Sequence, residues 1–144
     1  LKGLVLLGDE RAEVRDVPRP EVEPGWALIK VKVSGVCGSD LHFYHTPAAE
    51  MGKETGPRPG MVVGHEAAGM VETVGDCVEK VKPGDRVIVS HHVSCGTCHY
   101  CRSGAFQFCA EHQGIAATGN GSAAEYLTAP ARNCLPLPDE LSYA

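Results

Sequence analysis

Four of the seven cysteines stand as Cys95, Cys98, Cys101 and Cys109, and this C-x2-C-x2-C-x7-C spacing constrains the chain more than any other feature. Overlapping C-x2-C turns bring sulfurs within tetrahedral reach of one ion, and Gly96 and Gly104 ease the backbone between them. A closed zinc site with four thiolate ligands fits. An iron–sulfur cluster is the first rival, but the bacterial ferredoxin run places its fourth cysteine after three residues and before a proline. Here the gap is seven residues and Ala110 follows Cys109. Disulfides are the second rival; they suit an oxidising compartment, whereas the cysteine count is odd and nothing at Leu1 reads as an export signal. Within the lobe His99 reads as an exposed loop residue. Cys77 and Cys134 stand alone and are expected to be buried, inert thiols.

A second group surrounds Gly64-His65-Glu66, where a strand-like apolar run delivers an imidazole and a carboxylate side by side between glycines. A metal site wants a neutral imidazole with a sulfur or oxygen ligand on rigid backbone, and Cys37 upstream can supply the sulfur. Cys37 follows an alternating segment with Ala27, Ile29, Val31 and Val33 on one face and Lys30, Lys32 and Ser34 on the other, which predicts a half-buried strand. It ends at Gly35 and runs into Cys37-Gly38-Ser39-Asp40-Leu41-His42, where Ser39 or Asp40 can cap a short helix. Taken singly, Ser39 and Asp40 are as well explained as caps, and His42 as a surface residue.

The rest of the chain bounds what these groups belong to. With 144 residues, 43% of them hydrophobic, it can bury one core, so a single domain over residues 1–144 is expected. Seventeen Gly and ten Pro point to turns and short strands, hence a β-rich fold. A hairpin is expected from Leu4–Leu7 and Ala12–Val17 across Gly8-Asp9-Glu10, an irregular loop from Pro47 to Gly60, and a glycine-rich turn at Gly119-Asn120-Gly121. Further strands are expected at Gly69–Val74, Arg86–Ser90, Ala124–Thr128 and Asn133–Leu137. The net charge of −5 with interspersed signs offers no basic stripe, which argues against nucleic acid as a partner. No apolar run approaches the roughly 20 residues of a membrane span, so no membrane association and a cytoplasmic location are expected.

The Cys37-Gly38-Ser39-Asp40 stretch with His42, the Gly64-His65-Glu66 to Gly75 pattern and the four-cysteine run, in that order, resemble the zinc-dependent alcohol dehydrogenases of the medium-chain dehydrogenase/reductase superfamily. The flavour is that of the sorbitol and threonine dehydrogenase branch, and the match runs from about Leu4 to Ser142. This resemblance implies a mainly β, GroES-like, partly open β-barrel with short helices and a zinc-binding cysteine lobe. It implies that Cys37 and His65 hold a catalytic zinc, with Glu66 a third ligand or a close neighbour. Asp40 would accept the other N–H of His65, Ser39 would take the hydroxyl proton, and His42 would pass it toward solvent. Cys95, Cys98, Cys101 and Cys109 would hold a structural zinc. The implied reaction is oxidation of an alcohol or polyol to the ketone or aldehyde, with hydride transfer to NAD or NADP, in a homo-oligomeric full-length enzyme, a dimer or tetramer. No G-x-G-x-x-G occurs among these residues, so the Rossmann cofactor domain of the family is expected outside this chain and the chain by itself is expected to be inactive. The alternative is a non-catalytic GroES-like interaction module stabilised by zinc, for which Ser39, Asp40, His42 and Glu66 would have no use.

Overall fold

The alternating segment beyond Gly25 becomes the longest strand, and the other elements are arranged by it. In the computed structural model, which describes residues 1–53, 57–118 and 121–143, β1 (Lys2–Gly8) and β2 (Arg11–Asp16) form the expected antiparallel hairpin. Asp9 and Glu10 turn it with positive φ of 51° and 58°, the geometry that suits the twist of a two-residue hairpin loop. The central elements are β3 (Trp26–Ser34), β4 (Ala67–Val74), β5 (Arg86–Val89), β8 (Tyr126–Pro130) and β9 (Cys134–Pro136), antiparallel in the order β8-β3-β4-β5-β9. A third sheet pairs β6 (His92–Val93) with β7 (Gln113–Gly114). Two short helices, α1 (Gly38–Tyr44) and α2 (His99–Arg102), complete the framework. The mainly β character is as the resemblance implied, with the described strands in separate open sheets of two, five and two strands.

Ile29, Val87 and Leu127 are fully buried and, with Val71 and Ile115, form the main core on the five-stranded sheet. A smaller cluster of Leu6, Met51 and Val63 joins β1 to the stretch before β4. The expected solvent face of β3 is partly covered, since Leu28 is only 1% exposed; a register shift between Leu28 and Ile29 interrupts the strict alternation. The strand expected at Ala124–Thr128 lies two residues later, and it includes Pro130 because β8 is an edge strand where a missing N–H costs no ladder bond. The loop from Pro47 holds a 3-10 turn at Ala48–Glu50 and drops Met51 into the small core. Gly56 in that loop, and Gly119 and Asn120 of the expected glycine-rich turn, lie outside the described residues.

The expectation for Cys77 is corrected: it is exposed, in the surface turn after β4, with φ 62°. Cys134 is fully buried as expected, and burial pushes its thiol pKa up to about 11. The cysteine lobe leaves the body through the β6–β7 pair, with His92 opposite Gly114 and Val93 opposite Gln113.

Candidate metal centres

Strand register builds the first centre. Ser34 at the end of β3 pairs with Ala67 at the start of β4, and the Gly35 N–H extends the ladder by donating to the Glu66 carbonyl at 2.8 Å. Cys37, just beyond β3, and His65-Glu66, just before β4, therefore arrive at the same end of the sheet. One donor atom each from Cys37, His65 and Glu66 lies within 4.8 Å of the others.

Asp40 ties this point together. Its Oδ2 accepts the Cys37 backbone N–H at 2.9 Å and its Oδ1 accepts the Gly64 N–H at 3.2 Å. The same Oδ1 stands 3.4 Å from His65 Nδ1, with both side chains little exposed, 11% and 12%. The helix cap is thus Cys37, and Asp40 reaches back to it from the first turn of α1. Ser39 does not cap; its hydroxyl lies 3.4 Å from His65 Nε2. A carboxylate at Nδ1 favours the tautomer with its N–H there, which leaves the Nε2 lone pair on the side of Ser39. Hydrogen bonding from Ser39, and then from His65, holds the Cys37 thiol below its usual pKa.

Two glycines make room. Gly64 has φ 85°, and a Cβ there would lie 2.6 Å from Ser122 Oγ and 2.9 Å from the Ala123 nitrogen. At Gly35 a Cβ would come 2.3 Å from Glu66 Oε2. His42 is exposed on α1 with its ring 6.1 Å from that of Phe43, and among the described residues no hydrogen bond joins it to Ser39 or His65.

The second centre is local in sequence. The sulfurs of Cys98 and Cys101 are 3.5 Å apart, those of Cys95 and Cys101 3.9 Å, and all four cysteines fall within 4.8 Å of one another. Tetrahedral zinc with Zn–S bonds of about 2.3 Å requires sulfur separations of about 3.8 Å, so the four thiolates fit. The Thr97 hydroxyl at 3.6 Å and the N–H groups of Thr97 and Cys98 at 3.4 and 3.3 Å donate to Cys95 Sγ, drawing that thiol down to about 6. Cys101, 5% exposed, is pushed up to about 11 by burial. A cation in place of its proton reverses that preference, which couples metal binding to thiol deprotonation. His99 is exposed, with its ring edge-on to Tyr100.

Beside His65 a cleft of about 460 Å³ is lined by Ser39, Met61, His65, His91, His92 and His112 among others. The four imidazoles lie in a row, with ring centroids 5.4 Å apart for His65 and His91, 4.0 Å for His91 and His92, and 4.6 Å for His92 and His112. Partial desolvation of its largely exposed ring, followed by its imidazole neighbours, holds His91 below the ordinary pKa. Sequence reasoning passed over these three histidines. Their signal was positional: His91-His92 stand just before Cys95, and His112 just after Cys109.

Comparison with known proteins shows the family. The family model for the alcohol dehydrogenase GroES-like domain matches residues 23–139. L-threonine 3-dehydrogenase of Shewanella sp. (strain ANA-3) is 42% identical over 127 residues, which cover 88% of this chain and 36% of the relative. The enzyme of that name from Anaeromyxobacter sp. (strain K) is 44% identical over 126 residues, with the same coverage of 88% and 36%. Among solved structures, alcohol dehydrogenase TADH from Thermus sp. ATN1 superposes with a TM-score of 0.86 at 36% identity, over 99% of this chain and 42% of its own. Galactitol-1-phosphate dehydrogenase from Escherichia coli gives 0.84 at 28% identity, over 99% and 40%. The chain thus spans between 36% and 42% of the length of these proteins. With the matched region running from before β3 through β9 and containing both candidate metal centres, the chain belongs to the alcohol dehydrogenase GroES-like domain family.

Proposed function

We propose that this chain is the zinc-holding catalytic domain of an NAD(P)-dependent dehydrogenase that oxidises a small alcohol or polyol to the ketone or aldehyde. The observation that carries the reading is the convergence of Cys37, His65 and Glu66 beside a cleft that also holds Ser39. Zinc at this point would supply Lewis acidity toward a substrate hydroxyl. Asp40 orients His65 and sets its tautomer. Ser39, with its hydroxyl beside His65 Nε2, is placed to accept the substrate's hydroxyl proton while its own O–H proton leaves through water, and the exposed His42 on the same helix, reached only across solvent, takes it onward. Gly35 leaves Glu66 the space to serve as third ligand. The four-thiolate lobe serves folding. NAD or NADP would be bound by a Rossmann domain in the remaining length that the relatives possess. The names of those relatives, threonine and galactitol-1-phosphate dehydrogenases among them, support a small hydroxyl-bearing substrate.

All seven cysteines are free thiols, which supports a reducing, cytoplasmic setting. Exposed Tyr100, Phe106 and Phe108 on the lobe support contact between copies in a dimer or tetramer. A purely structural zinc module would leave the Asp40–His65 arrangement without purpose. The deciding experiment is Cys37→Ala in the full-length protein. Zinc content is expected to fall by one ion per chain and turnover by at least about 100-fold, with Tm kept; normal turnover would overturn the assignment.

A further inference from the structure

The imidazoles beyond His65 have no part in the reaction proposed above. The β6–β7 pair sets His92 across from Gly114, next to His112 where the cysteine lobe returns to the body. His92 Nδ1 and His112 Nε2 face one another within hydrogen-bonding reach. The ring of His91 stacks beside that of His92, 4.0 Å between centroids, and all three side chains are exposed. The backbone beneath them is pinned. Buried Asn133 donates through Nδ2 to the carbonyls of Ser90 at 2.8 Å and His92 at 2.7 Å, and the Ile115 N–H donates to the His91 carbonyl at 2.9 Å. Between His92 and His112 one ring's N–H donates to the other's lone pair. Because both rings are exposed they can turn so that both nitrogens meet one cation in place of that proton, and neutral imidazole is a strong ligand for borderline transition metals.

We propose that His92 and His112 form a third metal site, with His91 able to swing in as a further ligand, and that it takes a divalent cation of the nickel, copper and zinc class with water in the remaining positions. It uses none of Cys37, His65 and Glu66 and none of the four lobe thiols. Nitrogen donors without carboxylates select against Mg²⁺ and Ca²⁺, which prefer oxygen. The site opens on the cleft shared with Ser39 and His65, so an ion there narrows the approach of an alcohol to Ser39. That consequence for turnover rests on the function proposed above; the site itself does not.

The test is calorimetric titration of Ni²⁺ into the protein already carrying its full zinc complement, with zinc followed by elemental analysis. About one Ni²⁺ per chain is expected to bind without releasing zinc, and Mg²⁺ is expected not to bind. His92→Gln and His112→Gln should each weaken nickel binding by at least about tenfold, His91→Gln by less, and His99→Gln, an exposed histidine elsewhere, not at all. All four side chains are exposed, so these variants are expected to fold and keep their zinc. Undiminished nickel binding in the His92→Gln/His112→Gln double variant would overturn the proposal. So would nickel that enters only by expelling zinc, or no nickel binding. A Cys37→Ala protein that retained turnover would sink the functional reading yet leave these outcomes unchanged.

Discussion

At Gly35 the absent side chain is what leaves the Glu66 carboxylate its place, and the substitution that fills the gap separates stability from metal binding. In Gly35→Ala the new methyl would meet Glu66 Oε2 at 2.3 Å and Glu66 Cβ at 3.1 Å, the first being the free end of a flexible, exposed chain. Stability is expected to drop by about 1 kcal/mol or less, while Glu66 is displaced and the first centre surrenders its zinc to a chelator sooner than wild type does. Chemical denaturation and timed zinc release measure the two effects separately. Gly64→Ala behaves differently, because its φ of 85° and the Ala123 backbone at 2.9 Å cannot give way; a loss of roughly 2–3 kcal/mol is expected. The thiols differ in the same residue-by-residue way. Cys134, raised by burial from 9.0 to about 11, favours the fold fully below pH 9, and that contribution is lost as pH rises through about 11. Wild type should therefore lose about 2–3 kcal/mol over that window which Cys134→Ala, less stable at neutral pH for want of the buried sulfur, does not lose. Urea unfolding at stepped pH compares them. That Cys134 is buried and Cys77 exposed was not legible from two isolated cysteines, since burial depends on the turn conformation at Cys77 and on the strand at Cys134.

Among the elements, the two metal centres differ in how far apart their ligands lie along the chain. The lobe's candidate ligands are local, so their spacing alone suggested a tetrahedral site, and the described sulfurs are close enough to share one ion. Cys37 and His65 meet only because Ser34 pairs with Ala67, and no composition or periodicity states a register. The resemblance supplied that link where the residues alone left it open. Asp40 was legible from the residues as a candidate cap and from the resemblance as the partner of His65, but its hold on the Cys37 and Gly64 N–H groups was not. β6 and β7, two residues each, are too short for any periodic signal, which is why the three histidines they carry or adjoin went unread. The contrast between centres is testable in the longer enzyme. Cys101→Ala opens the closed site, and because its metal energy is folding energy, Tm should fall by roughly 10 °C or more. Initial rates, measured well below that Tm, are expected to decline only in proportion to the folded fraction. Lost turnover in a protein that remained folded and kept its other zinc would reverse the two assignments.

For the molecule as a whole, β content and turn density were legible because seventeen Gly and ten Pro divide the chain into short segments. The partition of the interior was not, since Met51 reaches the small core from a stretch with no periodicity of its own. Expressed alone, the 144-residue chain is expected to retain about one to two zinc ions and to turn over no alcohol in the presence of NAD or NADP. Elemental analysis and a cofactor-reduction assay decide that; stoichiometric iron, or turnover, would contradict it. The narrow β6–β7 neck has a further consequence. A body of nearly twenty residues joined to the sheet through the pairs His92–Gly114 and Val93–Gln113 shares few ladder bonds with it, and its own cohesion resides in four sulfurs around one point. Strip the ion, and calorimetry should resolve a low-temperature endotherm for the lobe ahead of the main melt, with amide protons near Thr97 and Cys98 exchanging freely while those of β3 and β4 stay protected.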